Sequence, residues 1–515
     1  MIVEHEAKFE FDADADLPDL GTLLPGTTAT DTETATLDAT YYDVADLRLA
    51  RWGITVRHRD GEGDARWTVK LPVRDAGTVA SRREIDVTGG PATVPSEVLR
   101  LLAGHLRGEA LAPVAGLRSE RSRTLLVDAM GRAVAEVDDD RVTVVSGPRT
   151  GAAFREVEVE LSQGGGKGSA GGGGATERNG TSRDKVFRAV EKALNSAGGR
   201  PAGREPKLLR ALEPLNNPEP AVGRIDRGSS VREVIMASIA RSTREILRSD
   251  PGVRVGDDPE DLHKMRVATR QMRSNLQTFS IALDAEWLSS IRQELGWLAG
   301  GLGHVRDADV LLERMSKAVI ALDERDRTGG EELIALLGED RTRAIDELAV
   351  IMGSTRYVEL LERLLSAAVD PPTRASGLER AADIAPVLVT ERWHELRRAV
   401  LRLSRKPSDA DLHKARIRAK RCRYAAESVA PLSGRPARDF ASTMALVQGS
   451  LGELHDSHAA QIWLRDAVKS PSQGITAGLL IAGERAKRRE LLDAWEKAWK
   501  KASRPKRVAW LATFR

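Results

Sequence analysis

Two stretches of the chain carry a histidine followed by basic residues at the same spacing. The first begins at His263 and reads H-K-M-R-V-A-T-R-Q-M-R, and the second begins at His413 and reads H-K-A-R-I-R-A-K-R-C-R. On an α-helix, positions at offsets 0, 3, 7 and 10 lie within roughly 80° of one another, so each stretch forms one basic stripe. Guanidinium groups bind phosphate oxygens in pairs and ammonium groups act as point charges, so the stripes suit a phosphate chain.

The stripes have an alternative interpretation as ordinary solvent-exposed charge, paired with carboxylates one helical turn away. No Asp or Glu lies between His263 and Arg273, or between His413 and Tyr424. Pairing inside each stretch is therefore absent, which favours anion binding.

Charged side chains also alternate along several short stretches rich in Val and Thr. Glu4, Glu6 and Lys8 share one face of the first predicted strand, and Glu156 and Glu158 share one face of the last. Basic residues of the strands between them are Arg57, Arg59, Lys70, Arg83, Arg121 and Arg123. On a single strand such alternation usually marks a solvated outer face. Because apolar residues occupy the opposite faces, we favour a barrel with a charged interior.

A charged interior of this kind suits phosphoryl transfer. Carboxylate oxygens bind Mg²⁺ or Mn²⁺, which readily share their coordination with substrate phosphates. Arg and Lys neutralise the remaining phosphate oxygens, and positioning and charge stabilisation do most of the work in this chemistry.

The elements that must position these residues fall into two parts. Eight stretches with period-2 alternation predict an antiparallel sheet, closed or nearly closed. They cover residues 3–11, 53–59, 66–71, 81–87, 118–128, 133–138, 141–145 and 152–161. The register of the strand around Arg82–Asp86 stays open, so either parity could face the interior. A Gly-rich loop at 162–182 and a helix at 183–197 follow.

Beyond Gly223 the chain changes to long Leu-, Ala-, Arg- and Glu-rich stretches with 3.6-residue periodicity, which predict an all-helical domain. The expected architecture is therefore multidomain. An antiparallel β-barrel domain spans residues 1–212, a linker spans 213–222, and an all-α bundle spans 223–515.

The helical part contains an internal duplication. L-G-H-V-R-D-A-D-V at Leu302–Val310 follows the first stripe, and L-G-E-L-H-D-S-H-A at Leu451–Ala459 follows the second. The nearly constant offset predicts a duplicated bundle with the two stripes facing each other across a cleft. Asp307 and Asp309 could bind a metal or brace the arginines, and bracing is favoured because free carboxylates would repel phosphate.

The amino-acid composition argues against several classes of protein. Residues 223–515 carry 50 Lys and Arg against 41 Asp and Glu, or +9, which leaves −6 for the first part of a chain of net charge +3. With aromatics at only 4%, a dedicated nucleic-acid binder is disfavoured. The single cysteine, Cys422, excludes an internal disulfide. No apolar run is long enough to cross a bilayer, so we expect a cytoplasmic protein without membrane contact.

The N-terminal motifs resemble the CYTH family of triphosphate tunnel metalloenzymes. They are E-H-E-A-K at Glu4–Lys8, T-Y-Y-D-V-A-D-L-R-L-A at Thr40–Ala50, G-I-T-V-R-H-R at Gly53–Arg59, W-T-V-K-L-P at Trp67–Pro72, F-R-E-V-E-V-E-L at Phe154–Leu161 and P-K-L-L-R-A-L at Pro206–Leu212. The resemblance implies an eight-stranded tunnel that hydrolyses or cyclises triphosphates with a divalent metal.

The resemblance also implies roles for individual residues. The metal-facing carboxylates would be Glu4, Glu6, Glu136, Asp138, Glu156 and Glu158. The triphosphate-binding residues would be Lys8, Arg57, Arg59, Lys70, Arg83, Arg121, Arg123 and Lys207. Glu4, Glu6 and Lys8, which form the ExExK motif, would be catalytic.

The helical part resembles the CHAD domain, through the two His-Lys-x-Arg stretches and the L-G-x-x-R-D-x-D-V segment. CHAD domains are associated with binding of inorganic polyphosphate. The polyphosphate-binding residues would be His263, Lys264, Arg266, Arg270, Arg273, Arg306, His413, Lys414, Arg416, Lys420 and Arg423, whereas Arg418 and Arg421 would lie off the main face.

The sequence thus predicts a metal-dependent triphosphatase that acts on inorganic tripolyphosphate or polyphosphate ends, with a helical domain that binds polyphosphate. Polyphosphate granules are a place where such a protein would associate. Two alternatives stay open: a non-catalytic polyphosphate-binding adaptor, and an enzyme for an organic triphosphate, either a nucleotide to be cyclised or thiamine triphosphate.

Overall fold

A computed structural model describes residues 2–24, 26–60, 66–73, 80–161, 187–202, 205–216 and 219–511, without the side chains of residues 2–5, 60, 80, 81 and 386. The chain forms two compact units, Met1–Pro218 and Glu219–Arg515. The division falls inside the predicted linker. Residues 162–182, predicted as a Gly-rich loop, lie outside the described residues.

The first unit is built on an antiparallel sheet of ten strands. These are β1 (Ile2–Phe11), β2 (Thr27–Ala29), β3 (Glu33–Asp43), β4 (Thr55–Asp60), β5 (Arg66–Pro72), β6 (Ala80–Thr88), β7 (Ala112–Asp128), β8 (Ala133–Ser146), β9 (Ala153–Leu161) and β10 (Arg200–Pro201). Its helices are α1 (Arg48–Arg51), α2 (Ser96–Leu101), α3 (Ala103–Leu106), α4 (described over 187–196) and α5 (Leu208–Ala211).

The long strands pair in the order β1-β6-β5-β4-β3-β7-β8-β9. The first half of β1 pairs with β6, from Ile2 to Glu6, and its second half pairs with β9, from Glu6 to Phe11. The series of pairings therefore returns to β1, and each of the eight strands has a neighbour on both sides. The predicted antiparallel sheet is confirmed.

Two details of the strand prediction were wrong. Residues 133–138 and 141–145 belong to one continuous strand, β8, because the intervening Asp139 and Asp140 stay in register with Val157 and Glu156 of β9. The predicted strands also omitted β3, whose alternation of Thr with Ala and Leu is weakly apolar although its second half is buried.

Apolar side chains cover the outer face of this sheet and close one end of its interior. On the outer face, Phe9 and Val159 pack with Val190 and Leu194 of α4. Inside, a second cluster joins Leu117 of β7 and other apolar strand residues to Leu208 and Ala211 of α5 and to Leu212, which follows it. Because Lys207 immediately precedes α5, this packing brings its side chain into the interior.

The second unit is helical. Its helices are α6 (Val231–Val255), α7 (Pro259–Thr278), α8 (Ala285–Ile320), α9 (Glu324–Gly353), α10 (Thr355–Val369), α11 (Ala381–Leu401), α12 (Asp409–Ser433), α13 (Arg435–Ala467), α14 (Pro471–Ala502) and α15 (Pro505–Val508). No helix within the described part of the chain is both long and apolar enough to cross a membrane.

N-terminal caps fix where the two stripe helices begin. The Asp258 side chain accepts the backbone N–H of Glu260 ahead of α7, and the Ser408 side chain accepts that of Asp411 ahead of α12. Each stripe therefore starts in the second turn of its helix. Buried residues such as Met265 and Met272 on α7, and Ala415 and Cys422 on α12, hold the opposite faces in the core.

Candidate functional site

The interior of the first unit holds a dense cluster of opposite charges around Lys8. The Lys8 ammonium contacts the Glu158 carboxylate, and its Nζ lies 3.3 Å from Oε1 of Glu6 and 3.8 Å from Oε1 of Glu156. The side chains of Lys8 and Glu156 are 7% and 1% exposed. Lys8 is thus enclosed by three carboxylates from β1 and β9.

A second basic group, Lys207, reaches the same carboxylates from the start of α5. Its Nζ lies 3.0 Å from Oε2 of Glu158 and 3.8 Å from Oε1 of Glu156, and it also contacts Asp140. Arg121 of β7 completes the cluster, because its Nε and Nη2 donate to the two oxygens of Asp140 at 2.8 and 2.6 Å.

The interior continues with pairs on the other strands. Nζ of Lys70 lies 2.8 Å from Oε2 of Glu84, and Nη2 of Arg57 lies 3.7 Å from Oε1 of the same residue. On β7 and β8, Nε of Arg123 lies 2.9 Å from Oε1 of Glu136. Further members of the sequence-predicted set are Arg59, opposite Arg66 in the β4–β5 register, and Asp138, which contacts Arg121.

The pKa values of this cluster record mutual compensation. Burial lowers the pKa of Lys8, but the carboxylates of Glu158, Glu6 and Glu156 outweigh burial and raise it. Burial raises the pKa of Glu158, yet Lys207, Lys8 and Arg121 outweigh that and hold it well below its usual range. The cations and the Glu158 carboxylate are therefore held in their charged forms.

Two other carboxyl groups behave in the opposite way. Burial raises the pKa of Glu156 to about 7, against the opposing effect of Lys207 and Lys8. Burial likewise raises the pKa of Glu160 to about 7, aided by Glu6 and Glu136. Glu160 of β9 is thus in electrostatic reach of side chains on β1 and β8, as residues facing one interior must be.

The donor chemistry of the interior suits a hard divalent cation. Oε1 of Glu6 and Oε1 of Glu156 are buried and accept no hydrogen bond from the described residues. Such oxygen donors are the ligands that Mg²⁺ and Mn²⁺ prefer. Among the described side chains, which do not include that of Glu4, no group of three or more carboxylates or histidines is arranged to hold a metal. The Lys8 ammonium lies between the carboxylates instead.

The structure corrects one predicted residue of this site. Arg83 was named as a triphosphate-binding residue while the register of its strand was left open, and it stands opposite Leu71 and Val3, on the face of the sheet that carries Trp67 and Val69. Its neighbour Arg82 has the interior parity and lies 3.9 Å, Nε to Oε1, from Glu6. Glu4 pairs with Arg82 through the backbone, and the Glu4 side chain lies outside the described residues.

Asp140 is the important interior residue that sequence reasoning missed. It is fully buried and binds both Arg121 and Lys207. The period-2 series of Glu136 and Asp138 extends to Asp140, but three consecutive aspartates resemble a turn and conceal the alternation. Strict continuation of the alternation through residues 138–140 would have found it.

In the second unit, both basic stripes line one cleft of about 1100 Å³. Arg266, Arg270 and Arg273 of α7 lie on one wall, and His413, Arg416 and Lys420 of α12 lie on another. The pKa of Lys420 responds to Arg270, Arg416 and Arg266, so the two stripes face each other closely. Helices α8, α9 and α13 also contribute lining residues.

The cleft cations are poorly compensated. Arg266 Nη2 lies 3.0 Å from Oδ1 of Asp307, and Arg416 Nη2 lies 3.9 Å from Oδ1 of Asp456, which supports the predicted bracing role of Asp307. Among the described residues, Arg270, Arg273 and Lys420 have no ion pair within 4 Å. The buried Nε atoms of Arg273, Arg292 and Arg416 also find no hydrogen-bond acceptor there.

The pKa values record this lack of compensation. Burial, followed by repulsion from Arg270, lowers the pKa of Arg266 and of Arg273. Burial and the neighbouring arginines lower the pKa of Lys420 to about 7. Burial, Arg416 and His413 lower the pKa of His455 to about 4. The empty cleft therefore disfavours positive charge on its own cationic side chains.

A glycine on α8 gives Arg273 room. A Cβ at Gly296 would lie 3.3 Å from Nη2 of Arg273, whereas a Cβ at Gly452 on α13 would lie 3.8 Å from Nε of Arg416, an ordinary contact distance. Glycine within a helix costs roughly 0.5–1 kcal/mol relative to alanine. The close approach of the Arg273 guanidinium explains the glycine at position 296.

Several predicted anion-binding residues lie outside the cleft lining. Nζ of Lys264 lies 3.5 Å from Oε1 of Glu260, and Nζ of Lys414 lies 3.5 Å from Oδ1 of Asp411. Both lysines therefore pair with a carboxylate that precedes the stripe on the same helix. Arg423 is also diverted, because its Nε donates to Oε1 of Glu427 at 2.6 Å. His263 and Arg306 do not line the cleft either, although both lie in electrostatic reach of Arg266.

Other residues take those places. Arg421, expected off the main face, lines the cleft together with Arg292 of α8. The two are close enough to interact, because the pKa of Arg292 is lowered by burial and then by Arg273 and Arg421. The position of Arg292, one turn before Gly296 on the small-residue face of α8, is the sequence feature that could have revealed it.

Comparison with known proteins agrees with this division. The CYTH domain model matches residues 3–167, and the CHAD domain model matches residues 237–465. The chain is 28% identical over 490 residues to an uncharacterised protein found in two strains of Mycobacterium tuberculosis, covering 88% of this chain and 86% of that one.

Solved structures also match part of the chain. PptA from Streptomyces chartreusis matches with 22% identity, 53% coverage of this chain, 100% coverage of that chain and a TM-score of 0.46. The CHAD domain from the plant Ricinus communis matches with 24% identity, 57% coverage of this chain, 96% coverage of that chain and a TM-score of 0.44.

Proposed function

We propose that this chain, a CYTH domain followed by a CHAD domain, is a metal-dependent triphosphatase that hydrolyses inorganic tripolyphosphate or the ends of polyphosphate. The observation that carries the proposal is the buried interior in which Lys8, Lys207 and Arg121 converge on the Glu158 carboxylate. CYTH domains include triphosphatases, and this interior provides both kinds of group that a triphosphate and its metal need.

Glu6, Glu156 and Glu158 would hold the metal, Mg²⁺ or Mn²⁺, with Glu4, Glu136 and Asp138 as further carboxylates. When bound, the metal would neutralise phosphate oxygens and lower the pKa of bound water.

The basic residues would bind the substrate by exchanging partners. In the structure Lys8, Lys207 and Arg121 are neutralised by carboxylates, so phosphate oxygens that replace those carboxylates keep the cations compensated. Lys70 and Arg57, which share Glu84, lie on the facing strands and can hold the next phosphoryl group in the same way. The protein's contribution is then to position the phosphate chain and to stabilise its charge.

The C-terminal cleft would hold polyphosphate. Its stripes present uncompensated cations on two facing helices, and a polyanion would supply the missing charge.

The test is phosphate release from tripolyphosphate, ATP and thiamine triphosphate with Mg²⁺ or Mn²⁺. We expect metal-dependent release, fastest from tripolyphosphate, that falls by at least about 100-fold in Glu4→Ala and Glu6→Ala. Glu120→Ala is the matched control, because Glu120 is an exposed carboxylate on β7 of the same sheet.

Lack of metal-dependent release from all three substrates would refute the enzyme and leave the adaptor hypothesis. Faster phosphate release from ATP or thiamine triphosphate than from tripolyphosphate would show that the substrate is an organic triphosphate instead.

A further inference from the structure

The basic cleft extends on one side into an annex that suits a different kind of chemical group. The annex lies between α8, α9 and α13, where Arg314 and Arg343, each paired with a carboxylate, also line the cleft, and it has an aliphatic and aromatic wall. The residues that form it are Ala308, Val310, Leu311, Leu337, Ala344 and Trp463. Such a wall makes no favourable contact with a phosphate chain, because phosphate oxygens need hydrogen-bond donors and cations.

The charges at the rim of the annex also disfavour phosphate. Oδ2 of Asp340 accepts the indole N–H of Trp463 at 3.2 Å, and Oδ1 of Asp340 lies 3.2 Å from Nη1 of Arg343. Oε2 of Glu347 lies 3.8 Å from Nδ1 of His304. The rim therefore pairs its carboxylates with Arg343 and His304, so it offers phosphate little uncompensated positive charge and keeps carboxylate oxygens that can accept hydrogen bonds from amino groups.

The internal duplication explains how the annex arises. The offset of 149 residues that relates Asp307 to Asp456 also relates Arg314 to Trp463. Arg314 is bound by a carboxylate of the following helix, since its Nη2 lies 2.6 Å from Oε2 of Glu484 on α14. At the equivalent position Trp463 has an apolar side chain that donates one hydrogen bond to a carboxylate on α9. One half of the duplication thus replaces a paired cation by an aromatic wall.

We propose that the cleft binds a nucleoside polyphosphate, with the phosphates between the two stripes and the nucleoside in the annex. The base packs against Trp463 and the aliphatic residues, and its exocyclic amino group donates to Asp340 or Glu347. The inference rests on the proposed anion-binding role of the cleft and goes beyond it, because inorganic polyphosphate would leave the annex unfilled.

The test is photolabelling of the full chain with 8-azidoadenosine triphosphate in EDTA, followed by mass-spectrometric mapping. We expect labelled peptides from α8, α9 or α13, protected by ATP at concentrations at least about tenfold lower than those of tripolyphosphate. Because protection is measured at the peptides of α8, α9 and α13, binding of the nucleotide in the cleft is distinguished from binding in residues 1–218. Label confined to residues 1–218, or equal protection by the two anions, would overturn the proposal.

Two variants sharpen the result. Trp463→Arg restores the residue of the other half, and should weaken protection by ATP about tenfold while protection by tripolyphosphate is kept or strengthened. Ala308→Leu fills the annex without changing a charge and should weaken protection by ATP alone. A fall of equal size for both anions in both variants would contradict the annex. Protection by neither anion at these peptides in the wild type would refute the anion-binding role of the cleft as well.

Discussion

The N-terminal interior and the C-terminal cleft place the same side chains in opposite electrostatic surroundings. In the interior, Lys8 and Lys207 lie against carboxylates, which raise their pKa values in spite of burial. In the cleft, burial and neighbouring cations lower the pKa of Arg266, Arg416 and Lys420. Both regions are rich in basic residues, and only the first is neutralised from within.

The difference separates two ways of preparing a site for phosphate. A compensated interior is stable without a ligand and binds by exchanging carboxylate partners for phosphate oxygens, a process that demands defined geometry. An uncompensated cleft opposes its own charges until an anion arrives, so its affinity depends mainly on charge and salt. The first arrangement suits chemistry on a terminal group, and the second suits retention of a chain.

The largest expected effect comes from removing one cation of the compensated interior. Lys8→Met should lower the free energy of unfolding by about 3–5 kcal/mol, because three buried carboxylates lose their shared partner. Urea unfolding of the full chain in EDTA measures the change.

Arg118→Met provides the control for that measurement. The Arg118–Asp38 pair lies on the same sheet with both side chains about half exposed, so its loss should cost less than about 1 kcal/mol. Equal effects of the two substitutions would show that the interior network contributes no special stability.

A smaller effect is expected from removing charge in the uncompensated cleft. The double substitution Arg266→Ala and Arg416→Ala should weaken polyphosphate binding by about 10- to 100-fold, since one cation is lost from each stripe. It should also reduce the salt dependence by about two released counterions. Calorimetric titration at several salt concentrations gives both quantities.

The double substitution Lys264→Ala and Lys414→Ala lies on the same two helices but outside the cleft lining. It removes the same amount of charge and should change affinity far less. If both double variants bind equally weakly, net charge rather than the cleft governs binding.

The smallest effect concerns pH. Lys420 has a pKa lowered to about 7, and a bound anion favours its protonated form. The contribution of Lys420 to polyphosphate affinity should therefore be complete below pH 7 and be lost as pH rises from 7 to 9, by about tenfold or less in total. This window lies above the range in which His455 titrates.

Lys420→Arg tests the pH effect, because arginine stays charged throughout this range. The variant should keep its affinity for polyphosphate up to pH 9. Any pH dependence that remains in the variant is then due to titration of polyphosphate itself. A decline of equal steepness in both proteins would remove Lys420 as its cause.

Much of the architecture could be predicted from periodicity. The period-2 alternation of Glu4, Glu6 and Lys8 predicted the first strand of the sheet, and the repeated spacing after His263 and His413 predicted two helices facing one cleft. The strand and the two helices depend on local geometry, and the shared cleft follows from the duplicated arrangement of the two halves.

Errors arose where the sequence pattern leaves a choice that long-range contacts decide. Arg82 and Arg83 are both basic, so only pairing with β1 and β5 shows which one faces the interior. Arg423 fits the stripe by spacing, but Glu427 one turn later binds it. The annex depends on α9 packing beside Trp463, a contact between residues far apart in the chain.

The double pairing of β1 has a consequence for the order of folding. Glu6 pairs with Ala80 on one side and with Glu160 on the other, so the ring cannot be completed until the last long strand has formed. Pairing between strands so far apart in the sequence slows folding, and the edge of β1 stays exposed until β9 has formed. The alternating charges of β1 disfavour pairing of its exposed edge with a strand of another chain, so they would also protect the partly folded protein from aggregation.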